Sequence, residues 1–246
     1  MRNLILWVVL AAAASIPLGA TAAFETRATR LQAIRTVGII SAIGDEISVT
    51  RTGLTPLNKQ GQSVPVGSWK LDELVVQQAT TLLNGRFRVQ PVSYPRAKFA
   101  AIKEPAVIPV NLIRGDPFKA LVRTDASPQG LDAYIVITRA KSKLGSGGNV
   151  EGLGFAEYRT LLASYGVVHA LYEVRVIDGK TFDVIEKRAA SPLGDAEMLR
   201  LAGPSRTIEE AFEGPAAGER LRAAIVDLIT RSLPLTFGDM HLANTQ

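Results

Sequence analysis

The chain has no cysteine at any of its 246 positions. This absence excludes a disulfide framework, thiol catalysis, thiolate metal sites and the lipid-modified cysteine of a lipoprotein. There are only two histidines, and neither an H-E-x-x-H segment nor a close acidic triplet occurs, so the sequence predicts no metal and no cofactor. The segments G-x-S-x-G and S-x-x-K, a P-loop and a full G-x-G-x-x-G are also missing, so no catalytic residue is predicted.

The first 23 residues have the three parts of a secretory signal peptide. Arg2 supplies a positive start, residues 4–14 form an apolar run, and Ala20-Thr21-Ala22 fits the small-residue cleavage rule. The apolar run is shorter than the roughly 20 residues that a membrane-spanning helix needs. We therefore expect the leader to be cleaved, leaving a periplasmic or secreted protein, residues 24–246, without a transmembrane segment.

The formal net charge of the chain is +5, but basic and acidic residues are interspersed, without a block of five like charges. That distribution, together with export, argues against a nucleic-acid partner. A mild positive charge favours solubility, and it would also favour association with an anionic envelope polymer or lipid headgroups. An envelope protein is the other kind of partner that we expect, and the oligomeric state is not indicated.

The mature chain is predicted to form one α/β (α+β) domain with a mixed β-sheet, two β-hairpins and helices packed mainly on one face. The first hairpin is predicted around Gly44-Asp45, and the second around Asp178-Gly179 after one long strand, residues 167–177. A helix is predicted from an N-cap at Ser68 to Asn84-Gly85. The other predicted elements are a loop over 52–67, strands over 86–93 and 132–138, and a last helix over 218–233.

This element order, over residues 36–233, resembles the small α/β domains of bacterial envelope proteins, namely the periplasmic activators of penicillin-binding proteins and the curli secretion lipoprotein. The chain departs from those families because it has no lipidation cysteine. The resemblance implies an accessory, non-catalytic role.

Gly147 and Gly148 are binding candidates because they lie in a glycine-rich run, residues 145–154. Glycine lets backbone N–H groups approach an anion closely, and such a run can also close over a substrate as a lid. The alternative is a flexible loop that only joins two strands.

His169, Glu173 and Arg175 are the other binding candidates. They lie at every second or fourth position of the predicted strand over 167–177, which would place them in one row on one side of the sheet. Such a row could bind an anionic or polar partner, or it could be a solvated or helix-covered face with local ion pairs.

The sequence therefore favours an exported, soluble, non-enzymatic accessory or binding protein of the cell envelope. Two alternatives stay open: a periplasmic enzyme, such as a hydrolase, with an acid/base site of unfamiliar pattern, and a small-ligand carrier. The tail after residue 233 is moderately apolar, and its sequence is compatible with packing on the domain or with docking on a partner.

Overall fold

The structure is a computed structural model that describes residues 26–52, 59–102, 115–143, 149–159, 161–162, 164–193, 201–207 and 216–243. The predicted signal peptide lies outside these residues, and so do Gly147 and Gly148. Within the described ranges no helix is long and apolar enough to cross a membrane.

Helices and strands are interspersed along the chain. The helices are α1 (Arg27–Ala33), α2 (Leu71–Leu83), α3 (Arg96–Ala101), α4 (Phe118–Asp125) and α5 (Ala217–Asp239). The strands are β1 (Thr36–Ala42), β2 (Glu46–Thr52), β3 (Lys59–Pro65), β4 (Arg88–Gln90), β5 (Ala133–Arg139), β6 (Lys141–Lys143), β7 (Asn149–Glu151), β8 (Leu153–Arg159), β9 (Ser164–Ala170), β10 (Tyr172–Asp178), β11 (Val184–Ala189) and β12 (Arg206–Thr207).

These strands form two mixed five-stranded sheets and a small β6–β7 ribbon. Sheet A has the order β11-β10-β5-β1-β4, with β1 parallel to both of its neighbours and β10 antiparallel to both of its own. Sheet B has the order β12-β9-β8-β2-β3, in which β2 and β8 are parallel. The predicted α/β class with a mixed sheet is confirmed.

The prediction of a first hairpin around Gly44-Asp45 is wrong. β1 belongs to sheet A and β2 to sheet B, so the Gly44-Asp45 corner carries the chain from one sheet to the other. The physical reason lies in β1, whose residues from Val37 onward are all buried, as is typical of a central strand with parallel neighbours. The second hairpin is confirmed, because β10 and β11 pair antiparallel.

The long strand predicted over 167–177 is divided at Leu171, which is buried between β9 of sheet B and β10 of sheet A. The Leu171 amide donates to the Gly152 carbonyl, and its carbonyl accepts from the Ala140 amide. Because Leu171 bonds to segments outside both neighbouring strands, the chain changes sheet at this residue.

Helices lie on both faces of sheet A, not mainly on one. On one face, Val75 of α2 packs with Ile39 in a large core that sheet B also shares. On the other face, Phe99 of α3 and Phe118 of α4 pack with Ile40 in a second core. The adjacent residues Ile39 and Ile40 thus serve opposite cores, as the alternation of a strand requires.

The ends of two helices differ from their predicted positions. Ser68 lies in a short 3-10 turn, and α2 begins only at Leu71, after Lys70 in a left-handed conformation. The last helix continues past Pro234 to Asp239, and the tail side chains of Phe237 and Leu242 are buried in the large core. The tail therefore packs on its own domain.

Candidate functional site

The connections that follow β1 and β4, which are neighbours in sheet A, lead to opposite faces of that sheet. The chain leaving β1 returns through sheet B to α2 on one face, whereas the chain leaving β4 enters α3 on the other. The β1 connection leads to β4, and the β4 connection leads back past β1 to β5, so the two connections run in opposite directions on the two faces of the sheet. Helix α2 on one face and α3 on the other therefore border the space beyond the carboxyl ends of β1 and β4.

A cavity of roughly 440 Å³ occupies this space and runs along α2, and we call it the crevice. Its volume falls within the range of small-molecule sites in proteins. Its apolar lining consists of Ile39, Val76, Val89, Pro91 and Val92. Its polar lining consists of Asp72, Glu73, Gln77, Thr80, Gln90, Tyr94 and Arg96.

One end of the crevice is built on the buried carboxylate of Asp72. Its Oδ1 atom accepts hydrogen bonds from the Ser41 hydroxyl at 2.6 Å and the Ile43 amide at 2.8 Å, and its Oδ2 atom accepts from the Gly44 amide at 3.1 Å. A Cβ atom at Gly44 would lie only 2.6 Å from the Cβ of Leu71, so this corner needs glycine to approach the helix. Asp72 therefore fixes the corner after β1 to the first turn of α2.

Arg96 links the same end of the crevice to α3. Its guanidinium lies 2.9 Å from the Glu73 carboxylate, 3.2 Å from that of Asp45 and 3.7 Å from that of Asp72. One cation thus joins α2, α3 and the corner after β1. Glu73, with 52% of its side chain exposed, keeps a carboxylate surface toward the crevice opening.

Tyr94 closes the edge of β1 where the pairing with β4 stops. The register between the two strands ends at Gly38 and Gln90. Beyond it, the Tyr94 hydroxyl accepts from the Ser41 amide at 3.0 Å and donates to the Ser41 carbonyl at 2.9 Å. Burial raises the pKa of Tyr94, so this phenol stays protonated as a hydrogen-bond donor at neutral pH.

The crevice thus combines an apolar length with one hydrogen-bonding end. A ligand with an apolar body can lie against Ile39, Val76 and Val89, and its polar head can reach Glu73 and Arg96. These are the features of a small-molecule binding site, in which a few polar groups orient a ligand that apolar contacts hold.

The predicted row of His169, Glu173 and Arg175 is not brought together. His169 lies on β9 in sheet B, whereas Glu173 and Arg175 lie on β10 in sheet A. Gly147 and Gly148 lie outside the described residues, so the role proposed for their loop stays a prediction.

His169 is fully buried, and its ring is held by backbone and hydroxyl groups. Its Nδ1 atom lies 2.9 Å from the carbonyl oxygen of Gly152, which can only accept, so the proton is on Nδ1. Its Nε2 atom faces the Ser48 hydroxyl at 3.5 Å. Burial lowers the pKa of His169 to about 4, and the bond to Gly152 opposes this shift only in part. The ring is therefore neutral at physiological pH.

We expect the free energy of unfolding to fall by about 2 kcal/mol between about pH 7.5 and pH 5 because of His169. The unfolded chain binds this proton near pH 6.5, whereas the folded chain binds it only near pH 4, so acid favours unfolding across that window. Urea unfolding at the two pH values measures the effect, and a His169→Asn variant should lack it. The same substitution at the exposed His241 is the control. A His169→Asn variant that loses stability as steeply as the wild type would contradict the assignment.

Glu173 and Arg175 do lie on one side of β10, where they form an ion pair at 2.7 Å. Arg175 is fully buried, and its guanidinium also contacts the Asp116 carboxylate at 2.8 Å and the Thr138 hydroxyl at 2.7 Å. These contacts place the pair under α4, in the helix-covered arrangement that was the alternative to an open binding row.

Sequence reasoning named none of the crevice residues as a site. Asp72 was noticeable only as an acid in the first turn of a predicted helix, where it complements the helix dipole. Its partner Ser41 is 31 positions away in a strand that reads as plain apolar core. The available signal was the pairing of an acidic first turn with a small hydroxyl in an otherwise apolar strand.

No protein family matches the sequence of this chain, and no curated protein does. Among solved structures, protein XCC0632 from Xanthomonas campestris, of the DUF330 family, is similar with a TM-score of 0.37 and 8% identity, over 85% of each chain. A neuraminyllactose-binding hemagglutinin homologue from Helicobacter pylori gives a TM-score of 0.38 and 9% identity, over 84% of this chain and 83% of that one. Lipoprotein GNA1162 from Neisseria meningitidis gives 0.27 and 13%, over 80% and 99%. At these scores the similarity carries no argument about what this chain does.

Proposed function

We propose that this chain is an exported, non-enzymatic binding protein of the bacterial cell envelope, and that its ligand is a small amphipathic molecule held in the crevice. The observation that carries the proposal is the crevice itself, a cavity of roughly 440 Å³ with apolar lining and, at one end, the charged side chains of Glu73 and Arg96. The predicted leader supplies the compartment, the periplasm in a Gram-negative cell.

The chemistry of the crevice supports binding more than catalysis. The two oxygens of Asp72 accept bonds that hold the corner after β1 in place, and the guanidinium of Arg96 ties three acidic side chains together. Groups engaged in this way act as a rigid frame around a ligand. The apolar length beside them provides the area that would retain it.

Two neighbouring threonines of α2 allow a matched test. Thr80 lines the crevice, whereas Thr81 is exposed and does not. Both hydroxyls donate to the backbone carbonyl one turn earlier, so the two residues make the same local bond. Replacing either threonine by tryptophan therefore removes the same local hydrogen bond, but only Thr80→Trp fills the cavity.

We expect Thr80→Trp to weaken the binding of the amphipathic dye anilinonaphthalene sulfonate by roughly tenfold or more, a loss of at least about 1.4 kcal/mol. Thr81→Trp should bind the dye as the wild type does. Dye fluorescence titrated on the purified, processed protein gives the affinity, and circular dichroism shows that each variant is folded. Equal affinities for the two folded variants would mean that the dye does not use the crevice and would overturn the proposal.

A further inference from the structure

The turn between β8 and β9 carries two consecutive leucines that are almost fully exposed. Leu161 is 88% exposed and Leu162 98% exposed, and the next most exposed large apolar side chain in the described part of the chain, Leu235, reaches only 44%. Full burial of a leucine side chain is strongly favourable in water. Two adjacent exposed leucines at the end of a hairpin form a small apolar surface that can be buried in another apolar environment.

Basic residues flank this tip on the neighbouring strands. Arg51 of β2 lies opposite Glu157, two residues before the end of β8, and Arg206 of β12 lies opposite Gly166, two residues after the start of β9. At a rise of about 3.3 Å per residue, both registers are about 7 Å behind the base of the tip.

Two arginines beside the tip are exposed to solvent, whereas the acid that contacts one of them is buried. Arg51 is 64% exposed and pairs at 2.9 Å with Glu157, whose own side chain is only 5% exposed, so the cation is the solvent-facing member of the pair. Arg206 is exposed as well.

The size of the tip argues against a second protein as its occupant. Two leucine side chains supply only a small part of the roughly 800 Å² that each partner buries in a standard protein interface. A bilayer requires no minimum interface area, because the burial of even one apolar group at the acyl boundary, at a depth of about 5–10 Å, is favourable. With the leucines at that depth, cations about 7 Å behind them reach the headgroups, where anionic lipids attract them.

We propose that the Leu161–Leu162 tip inserts into the surface of an anionic phospholipid bilayer, with Arg51 and Arg206 at headgroup level. The protein would then be held at a membrane surface reversibly, by a hairpin and a few charges. This inference rests on sheet B and is independent of the crevice in sheet A, so either proposal can fail without the other.

Sedimentation with vesicles tests the proposal on the purified, processed protein. We expect binding to vesicles of phosphatidylcholine with phosphatidylglycerol, and weaker binding to phosphatidylcholine alone. The double variant Leu161→Ser/Leu162→Ser should reduce partitioning into the anionic vesicles by roughly tenfold or more. Leu235→Ser, at the third exposed leucine, is the matched control and should bind as the wild type does.

A matched pair of arginine variants tests the contribution of the charges. Arg206→Gln should weaken binding to the anionic vesicles and make it less sensitive to salt, whereas Arg231→Gln, at an exposed arginine of α5, should change neither. Tryptophan fluorescence measures how deeply the tip inserts into the bilayer. Leu162→Trp should show a blue-shifted fluorescence with vesicles and quenching by brominated lipid chains.

Three results would overturn the proposal. The first is failure of the wild type to bind the anionic vesicles. The second is a double serine variant that binds as well as the wild type. The third is a self-association, seen by analytical ultracentrifugation without lipid, that the double serine variant abolishes, since the tip would then contact a second copy of the chain.

Discussion

Replacing Asp72 by alanine is expected to lower the free energy of unfolding by about 4 kcal/mol. The carboxylate is 2% exposed and accepts from the Ser41 hydroxyl and from the amides of Ile43 and Gly44. Alanine would leave these three donors without their acceptor in a dry environment, where each unsatisfied group costs about 1–3 kcal/mol. It would also remove one carboxylate from the Arg96 guanidinium.

Glu73→Ala is the matched control for this prediction. Glu73 is the next residue, carries the same charge and contacts the same Arg96, but 52% of its side chain is exposed. Exposed ion pairs contribute at most about 1 kcal/mol, so this variant should lose no more than that. Urea unfolding of both variants at neutral pH measures the difference.

The free energy of unfolding of Asp72→Asn should lie between those of Asp72→Ala and Glu73→Ala. Its amide oxygen can keep the bonds from Ser41 and Ile43, but its amide nitrogen would face the Gly44 N–H, donor against donor. If Asp72→Ala were as stable as Glu73→Ala, the corner after β1 would not depend on this carboxylate. The crevice would then lack the rigid end on which its proposed function depends.

The parts of the fold that were predictable from sequence are those in which local pattern and tertiary role agree. Helix α2 was predicted because Leu71, Leu74, Val75, Ala79 and Leu82 recur at helical spacing, and Leu71, Val75 and Ala79 are buried. The β10–β11 hairpin was predicted because alternating strands flank the turn dipeptide Asp178-Gly179.

The strand order was not predictable, because nothing local distinguishes a chain that turns back from one that changes sheets. The Gly44-Asp45 corner has the composition of a hairpin turn, and only the burial of both faces of β1 shows that β2 must go elsewhere. Strand β3 was missed because its sequence, KQGQSVP, has no apolar alternation. It is a polar edge strand that exists because β2 offers it a partner.

The crevice was hidden for the same reason. It depends on which strands are neighbours and on which face each connection takes, and both are properties of the assembled sheet. The candidates chosen from sequence were conspicuous polar residues within strands. In the structure, His169 and Arg175 are fully buried, so their polarity marks internal hydrogen bonding and not an exposed row.

Replacing Arg175 by methionine is expected to lower the free energy of unfolding by about 3–4 kcal/mol. Its guanidinium contacts the carboxylates of Asp116 and Glu173, the Thr138 hydroxyl and, at 4.5 Å, the ring of Phe118. Burial lowers the pKa of Arg175 to about 9 and raises that of Asp116. Methionine would fill the apolar space but would leave two acids under α4 without their shared cation.

Lys187→Met is the control, because Lys187 also contacts Glu173, at 3.3 Å, but from a partly exposed position. Lys187→Met should lower the free energy of unfolding by no more than about 1 kcal/mol. Adding Asp116→Asn to Arg175→Met should recover part of the lost stability, since the loss comes from uncompensated charge and not from lost volume. Urea unfolding of the wild type, Arg175→Met, Asp116→Asn and the double variant gives the coupling energy between Arg175 and Asp116.

The same variants decide between a structural and a binding role for the predicted residues. If Glu173 and Arg175 only hold α4 on sheet A, folded Arg175→Met must bind the dye in the crevice with wild-type affinity while its stability falls. If Glu173 and Arg175 bound a partner, the double variant Arg175→Met/Asp116→Asn would recover stability but would still fail to bind that partner. A variant that kept full stability but lost dye affinity would contradict a purely structural role for Glu173 and Arg175.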